Sequence, residues 1–346
     1  MRPRLPGLIV LASLGLPLAA FAAFADEAWP VPDWQSVPAA ERLFPEAALG
    51  PVLAFAQEQN SRALLLVRGG RLEAEHYFGD WTAGQNHSLA SAAKSITSLL
   101  TGIAIAEKHL PGVEAPVSTW FPDFSNANAT LADLLTMRGG LPYEKKLQAA
   151  MHRAPDWLAF IRSQPLARPP GERFLYSGFD PILLAAVLQR ATGQPLDVFA
   201  KEKLFTPLGI TSAVWEGDER GLINGGSQLA MTARDFARFG VLCLRKGRWQ
   251  DQQIVPADWM ATSTANKFEK GWPWYGYYWW KLPAEAEAAD PRLAGCYFAS
   301  GGGGQHLIVL PQLDLAIVRL GSEPKLTPSG QKFVPELLRR LLATIP

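Results

Sequence analysis

The chain has 346 residues, 48% hydrophobic and 19% charged, a balance that excludes disorder and supplies a substantial core for one large or two interleaved domains. A formal charge of +1 at pH 7 provides no field to draw nucleic acid or acidic lipid. Twelve Trp and 28 Pro suit a rigid, loop-rich body better than a helical bundle.

Residues 1–25 read as an export signal. A basic MRPR precedes the apolar run LPGLIVLASLGLPLAAFAAFA, and the small-x-small Ala23-Phe24-Ala25 predicts cleavage after Ala25. The alternative is an uncleaved inner-membrane anchor, since the run is nearly long enough to span; Pro6, Gly7, Gly15 and Pro17 weaken it as a spanning helix. Cleavage removes Arg2 and Arg4, leaving 31 basic against 32 acidic residues in a periplasmic or secreted protein with no further membrane attachment.

Residues 26–50 are Pro- and Ala-rich, with a short helix expected near 47–58. ALLLVRGGRLEAEHYFG (63–79) sets two apolar runs around Gly69-Gly70 and predicts a β-hairpin. A helix from about Ser91 to Lys108 is apolar nearly all round and therefore buried. LADLLTM, APDWLAFIRSQ, DPILLAAVLQRATG and PLDVFAKEKLF then predict helices between Pro/Gly loops. Another helix starts at a Thr232 cap and stops at Gly247. WYGYYWWKL, AGCYFASG, QHLIVLP and DLAIVRLG read as strands, and QKFVPELLRRLLATI as a closing helix with Pro335 in its first turn. Strands at both ends of the chain predict an α+β fold within one domain, residues 26–346. Residues 26–118 and 221–346 together form an antiparallel sheet flanked by helices, and 119–220 a helical insertion.

Cys243 and Cys296 sit in the apolar stretches GVLCL and AGCYF, which favours buried thiols, although the exported compartment leaves a bridge open. Neither has the spacing of a zinc site, and His76, His87, His109, His152 and His306 are scattered, so neither metal nor cofactor is expected.

Chemistry concentrates at SAAKSITSLL (91–100). Lys94 is the only Asp, Glu, Lys or Arg between Asp80 and Glu107. Ser91 and Lys94 share a helix face, apolar surroundings lower an amine's pKa, and a helix N-terminus favours negative charge at the serine. Ser322-Glu-Pro-Lys325 and Ser329-Gly-Gln-Lys332 repeat the spacing, but Pro324 disfavours a helix in the first, and Ser329 reads as an N-cap with an exposed lysine. A capping serine with a snorkelling lysine remains the alternative for Ser91 and Lys94.

LASAAKSITSLLTGIAI resembles the active-serine helix of the β-lactamase-like superfamily. That group holds penicillin-binding proteins, class C β-lactamases, β-lactamase-fold esterases and 6-aminohexanoate-dimer hydrolases. TLADLLTMRGGLPY, PPGERFLYSGFDPILLAAVLQRATGQPLDVFAKEKLFTPLGI, MTARDFARFG and YFASGGGGQHLIVLPQLDLAIV continue the likeness in order from about residue 60 to 320. The resemblance implies a β-lactamase-like fold with Ser91 as acylated nucleophile, Lys94 as its base partner and Tyr176 as the proton-relaying tyrosine. The backbone N–H groups of Ser91 and Gly302 would form the oxyanion hole, with Ser300 and Gly301 on the strand beside the substrate.

Two departures bear on substrate. The family's Lys-Thr-Gly is here Ala299-Ser300-Gly301, without the lysine that would bind a substrate carboxylate; Tyr-x-Asn is Tyr176-Ser177-Gly178, without the amide. Both resemble the esterase and 6-aminohexanoate-dimer hydrolase branch, as does WPWYGYYWW (272–280), from which Trp279 is expected to line a substrate pocket opposite Tyr143. The reading is an exported serine hydrolase acting on a small-molecule carboxylic ester or small amide. A β-lactamase or D,D-peptidase is the alternative enzyme, and a non-catalytic ligand-binding protein on the same fold the alternative of another class. There is no Gly-x-Ser-x-Gly elbow to support an α/β-hydrolase. Oligomeric state is left open.

Overall fold

The structure, a computed structural model, describes residues 27–124, 128–269, 273–326 and 332–345. The export signal and its cleavage site, Trp272 and Ser329 lie outside the described residues. Among those described, no helix is long and apolar enough to cross a membrane.

Six strands build the central sheet: β1 (Ser61–Arg68), β2 (Arg71–Tyr77), β3 (Trp280–Lys281), β4 (Tyr297–Gly301), β5 (Gln305–Leu310) and β6 (Leu315–Gly321). Their order is β2-β1-β6-β5-β4-β3, and every neighbouring pair is antiparallel. The 61–77 hairpin therefore adds to a C-terminal meander, with β1 against β6. The Gly69-Gly70 turn requires positive φ at both residues (60° and 78°), and at Gly70 any Cβ would strike the Ala28 carbonyl.

Continuous apolar runs in β1, β5 and β6 follow from burial on both faces. Ala63, Leu65, Val67, Leu307, Val309, Ala316 and Val318 face one core, and Leu64, Leu66, Ile308, Leu310, Leu315 and Ile317 the other. The second core is closed by helices Glu46–Glu58 and Phe333–Leu342, where Phe55 stacks on Phe333 at 5.7 Å. The first holds helix Ala233–Leu244 and the serine helix, Ala93–Ala106, and runs on into the helices between Leu131 and Ala200. Thr232 caps the former by accepting the Asp235 N–H at 3.2 Å. Asp235 in turn accepts the N–H groups of Thr211 and Ser212, tying that helix to the end of the helical region.

Two elements differ from expectation. The serine helix is α-helical only from Ala93; Ser91 lies in a preceding 3₁₀ turn, Ala90–Ala92, entered through Ala90 at φ 45°. WYGYYWWKL is not one strand. Tyr278 has φ 63°, the Gly276 N–H bonds back to the Trp279 carbonyl at 2.8 Å, and only Trp280–Lys281 pair with β4. A tight turn thus replaces extended chain, which alternation of aromatic residues could not reveal.

Candidate active site

The serine helix is buried from Ala93 to Ala104, and two of its hydroxyls donate to loops around it. Ser95 Oγ donates to the Tyr278 carbonyl at 2.7 Å, and Thr97 Oγ1 to the Gly225 carbonyl at 2.7 Å. Gly102 lets the helix approach the Trp259 ring, whose Nε1 donates to the Ser98 carbonyl at 3.0 Å. The helix therefore cannot slide relative to the two loops that border its N-terminal end.

Lys94 is 4% exposed. Its Nζ lies 2.9 Å from Ser91 Oγ and 2.9 Å from the Gly226 carbonyl oxygen, and no carboxylate pairs with it among the described residues. Burial without an acid pulls its pKa down to about 7, so near neutrality much of the amine is uncharged. Gly226 permits the approach: a Cβ there would sit 2.7 Å from Pro181 Cγ and 3.4 Å from Lys94 Nζ. Asn224 Oδ1 holds that turn by accepting the Gly226 N–H at 3.0 Å.

Tyr176 comes from the loop before helix Phe179–Thr192. Lys94 Nζ stands 5.1 Å from its ring centroid. Burial pushes the phenol up to about 12, against the opposing pull of a hydrogen bond with Ser91. Tyr176 thus keeps its proton where Lys94 gives one up. The loop is held by the Leu175 N–H donating to the Met137 carbonyl at 2.8 Å. Beneath it, Asp180 is buried and accepts the Gly139 N–H at 3.1 Å; burial raises its carboxyl to about 7.

The third wall is the end of β4. A Cβ on Gly301 would lie 2.2 Å from the Leu89 carbonyl oxygen and 3.1 Å from Ser91 N, so only glycine lets this strand press against the serine turn. Gly302 follows, solvent-exposed, and its N–H and that of Ser91 have no backbone partner among the described residues. Ser300 is half-buried one residue before Gly301. Two N–H groups without a backbone partner thus stand at Ser91 and one residue beyond the strand end packed against it.

The structure brings Ser91, Lys94, Tyr176, Ser300, Gly301 and Gly302 together. Tyr143 is half-buried, and burial, with the Tyr176 phenol nearby, raises its own phenol above the usual range. Trp279 is corrected: its ring is fully buried and packs edge-on against Tyr297 at 5.3 Å, inside the core. Trp280 takes the place expected of it, half-buried and stacked on Tyr176 at 5.7 Å. The turn at Tyr278 shifts the aromatic alternation by one, a conformation the residue types alone do not betray. Lys94's carbonyl partner, Gly226, and Asp180 were also missed; the Asn-Gly-Gly run at 224–226 was the available signal for the first. Cys243 and Cys296 are unpaired, lie in the two different cores, and have thiols pushed up to about 12 by burial.

An antiparallel sheet with a buried serine helix against it, and an amine in contact with the serine hydroxyl, defines the class: a β-lactamase-like fold with a serine–lysine pair at the start of its central helix. The chain belongs to the Beta-lactamase family, whose model matches residues 55–332. It is similar to a 6-aminohexanoate-dimer hydrolase of Paenarthrobacter ureafaciens, 24% identical over 302 residues, covering 78% of this chain and 74% of that protein. An Escherichia coli K12 relative named "Putative D-alanyl-D-alanine carboxypeptidase" is 31% identical over 153 residues, 39% of this chain; the match spans only 35% of the relative's length. Among solved structures, "EstCE1, a hydrolase with promiscuous acyltransferase activity" shares the fold with a TM-score of 0.68 at 17% identity, covering 88% of this chain and 98% of that one.

A buried amine whose pKa falls from 10.5 to about 7 lowers stability. The penalty is complete below pH 7, where folded and unfolded states both carry the charge, shrinks as pH rises, and vanishes above 10.5. Lys94→Met removes it but leaves the Gly226 carbonyl without its donor, a loss of about 1 kcal/mol. The variant is expected to melt higher than wild type at pH 7, by the equivalent of roughly 1–3 kcal/mol. The gap should close by pH 10. Thermal melts at both pH values check this; a pH-independent difference would show that amine desolvation is not the cause.

Proposed function

We propose that this protein is an exported serine hydrolase that cleaves a carboxylic ester or small amide through an acyl-enzyme. The observation that carries the reading is the 2.9 Å contact between Ser91 Oγ and a buried Lys94 amine with no acidic partner among the described residues. Neutral Lys94 takes the Ser91 proton as Oγ attacks the substrate carbonyl carbon. The Ser91 and Gly302 N–H groups hold the oxyanion. Tyr176, protonated at neutral pH, donates to the departing alkoxide or amine, and the Lys94 ammonium restores its proton. Water then attacks the acyl carbonyl with Lys94 again as base, releasing the acid and freeing Ser91.

The ester or small-amide class is supported by the buried methyl of Ala299, where a carboxylate-binding lysine would stand, and by Gly178, which offers no side-chain amide. The likeness to the 6-aminohexanoate-dimer hydrolase along three quarters of both chains points the same way. Export rests on the basic, apolar and small-x-small order of residues 1–25.

A fluorophosphonate should label wild type and leave Ser91→Ala unlabelled, and p-nitrophenyl esters should be turned over faster than a chromogenic cephalosporin. Equal labelling would remove Ser91 as the nucleophile, and a faster cephalosporin would replace the ester reading with a β-lactamase. kcat/KM should rise with pH through about 7 as Lys94 loses its proton, then stay level to pH 10, since Tyr176 titrates far above. Asp180 titrates nearby, so the same limb must persist in Asp180→Asn; its disappearance there would assign it to the carboxyl. Expression of the full chain in a Gram-negative host should yield periplasmic protein whose intact mass begins at Asp26. Retention in the inner membrane at full mass would establish the anchor instead.

A further inference from the structure

The turn that carries Gly302 is a run of four glycines, Gly301–Gly304, with positive φ at Gly303 and Gly304 (78° and 75°). Such a run has more conformational freedom than any other, so its free N–H would ordinarily point in no fixed direction. Here each carbonyl around that N–H is held. Gln305 Nε2 donates to the Gly302 carbonyl at 3.2 Å and the Gly321 carbonyl at 2.8 Å, while its Oε1 accepts the Gly321 N–H at 3.1 Å. Arg319 Nη1 donates to the Gly303 and Gly304 carbonyls at 2.6 and 2.7 Å. Its remaining donors reach Ser61 Oγ at 3.0 Å, the Gln59 carbonyl at 2.6 Å and the Ser322 carbonyl at 3.1 Å.

Arg319 is fully buried in β6, rests over the Phe333 ring at 4.9 Å, and has no carboxylate partner among the described residues. A buried guanidinium held only by a hydroxyl and carbonyls costs desolvation that an apolar residue at this strand position would avoid. What it secures is the turn: its two Nη1 bonds leave no room for a Cβ on Gly304, which would lie 2.3 Å from Nη1. The Gly302 N–H shares its peptide plane with the Gly301 carbonyl, which accepts the Gly304 N–H at 3.0 Å; Arg319 fixes that donor's own peptide through the Gly303 carbonyl, and Gln305 fixes the intervening plane through the Gly302 carbonyl.

We propose that Arg319 and Gln305 are positioning residues for the oxyanion hole, aiming the Gly302 N–H at the acyl oxygen on Ser91 while the Arg319 cation adds positive charge behind the turn. The inference rests on the serine-hydrolase reading above. A residue that merely stabilised the hairpin would change melting temperature and leave chemistry alone; one that aims an oxyanion donor changes binding of the tetrahedral species and spares ground-state binding.

The test measures kcat and KM for p-nitrophenyl butyrate, together with the inhibition constant of a trifluoromethyl ketone that forms a tetrahedral adduct with serine. Wild type, Gln305→Met, Arg319→Lys and Arg319→Met are compared, each with its melting temperature. Loss of the carbonyl contacts should lower kcat roughly 10- to 100-fold and weaken the ketone in parallel, with KM within about twofold. Arg319→Lys, which keeps the charge but cannot span both glycine carbonyls, should fall between wild type and Arg319→Met. Wild-type kcat and ketone affinity in folded Gln305→Met would overturn the proposal, as would a loss confined to KM. Should the Arg319 variants fail to fold, Gln305→Met decides alone. A wild type that neither turns over the ester nor labels at Ser91 defeats the hydrolase reading itself, and this inference with it, before any variant is made.

Discussion

The site depends on keeping one amine out of water. Lys94 has no acidic partner among the described residues, and its hydrogen bonds run to a serine hydroxyl and one backbone carbonyl. In water such an amine is almost wholly protonated at pH 7; burial brings it to about 7. A carboxylate beside it would have restored the ammonium and removed the base that the proposed reaction needs. The apolar sequence around Lys94 is therefore part of the chemistry as well as of the core.

That desolvation acts in opposite directions on the two titratable neighbours of Ser91. It makes the amine easier to deprotonate and the phenol of Tyr176 harder, which sets the two groups apart in the way the proposed base and donor require. Holding the three residues together falls to uncharged hydrogen bonds. Ser95 and Thr97 donate to loop carbonyls, Met137 accepts from the Tyr176 loop, and glycine at 226 and 301 gives the backbone its close approach. On the far side of the serine, a second buried basic side chain, Arg319, binds four backbone carbonyls and the Ser61 hydroxyl.

Much of the fold was legible because its elements repeat simple periods. The apolar runs of β1, β5 and β6, the Gly-Gly hairpin, the Thr232 cap and the serine helix, apolar nearly all round, each carry a local signature, and each stands close to where its residues placed it. Ser91, Lys94 and Tyr176 were picked out by an isolated charge and by an ordered resemblance. Trp279 shows where this reasoning stops. Its alternation was sound for extended chain, but positive φ at Tyr278 turned Trp279 into the core and Trp280 toward Tyr176. Single residues in the left-handed region leave little trace when the residue is not glycine.

Residue order alone specifies which groups can react here: a serine three positions before a lone lysine, a tyrosine, and glycines at a strand end. The serine and lysine follow from helical spacing and charge isolation, which are local properties; the tyrosine and the glycines are what the ordered resemblance implies. Tertiary structure decides what those groups are, because a pKa belongs to an environment that residues far apart in the chain assemble. Gly226 reaches Lys94 across 132 positions, and Arg319 reaches Ser61 across 258. The lowered amine, the raised phenol and the clamped glycine turn exist only once those distances close.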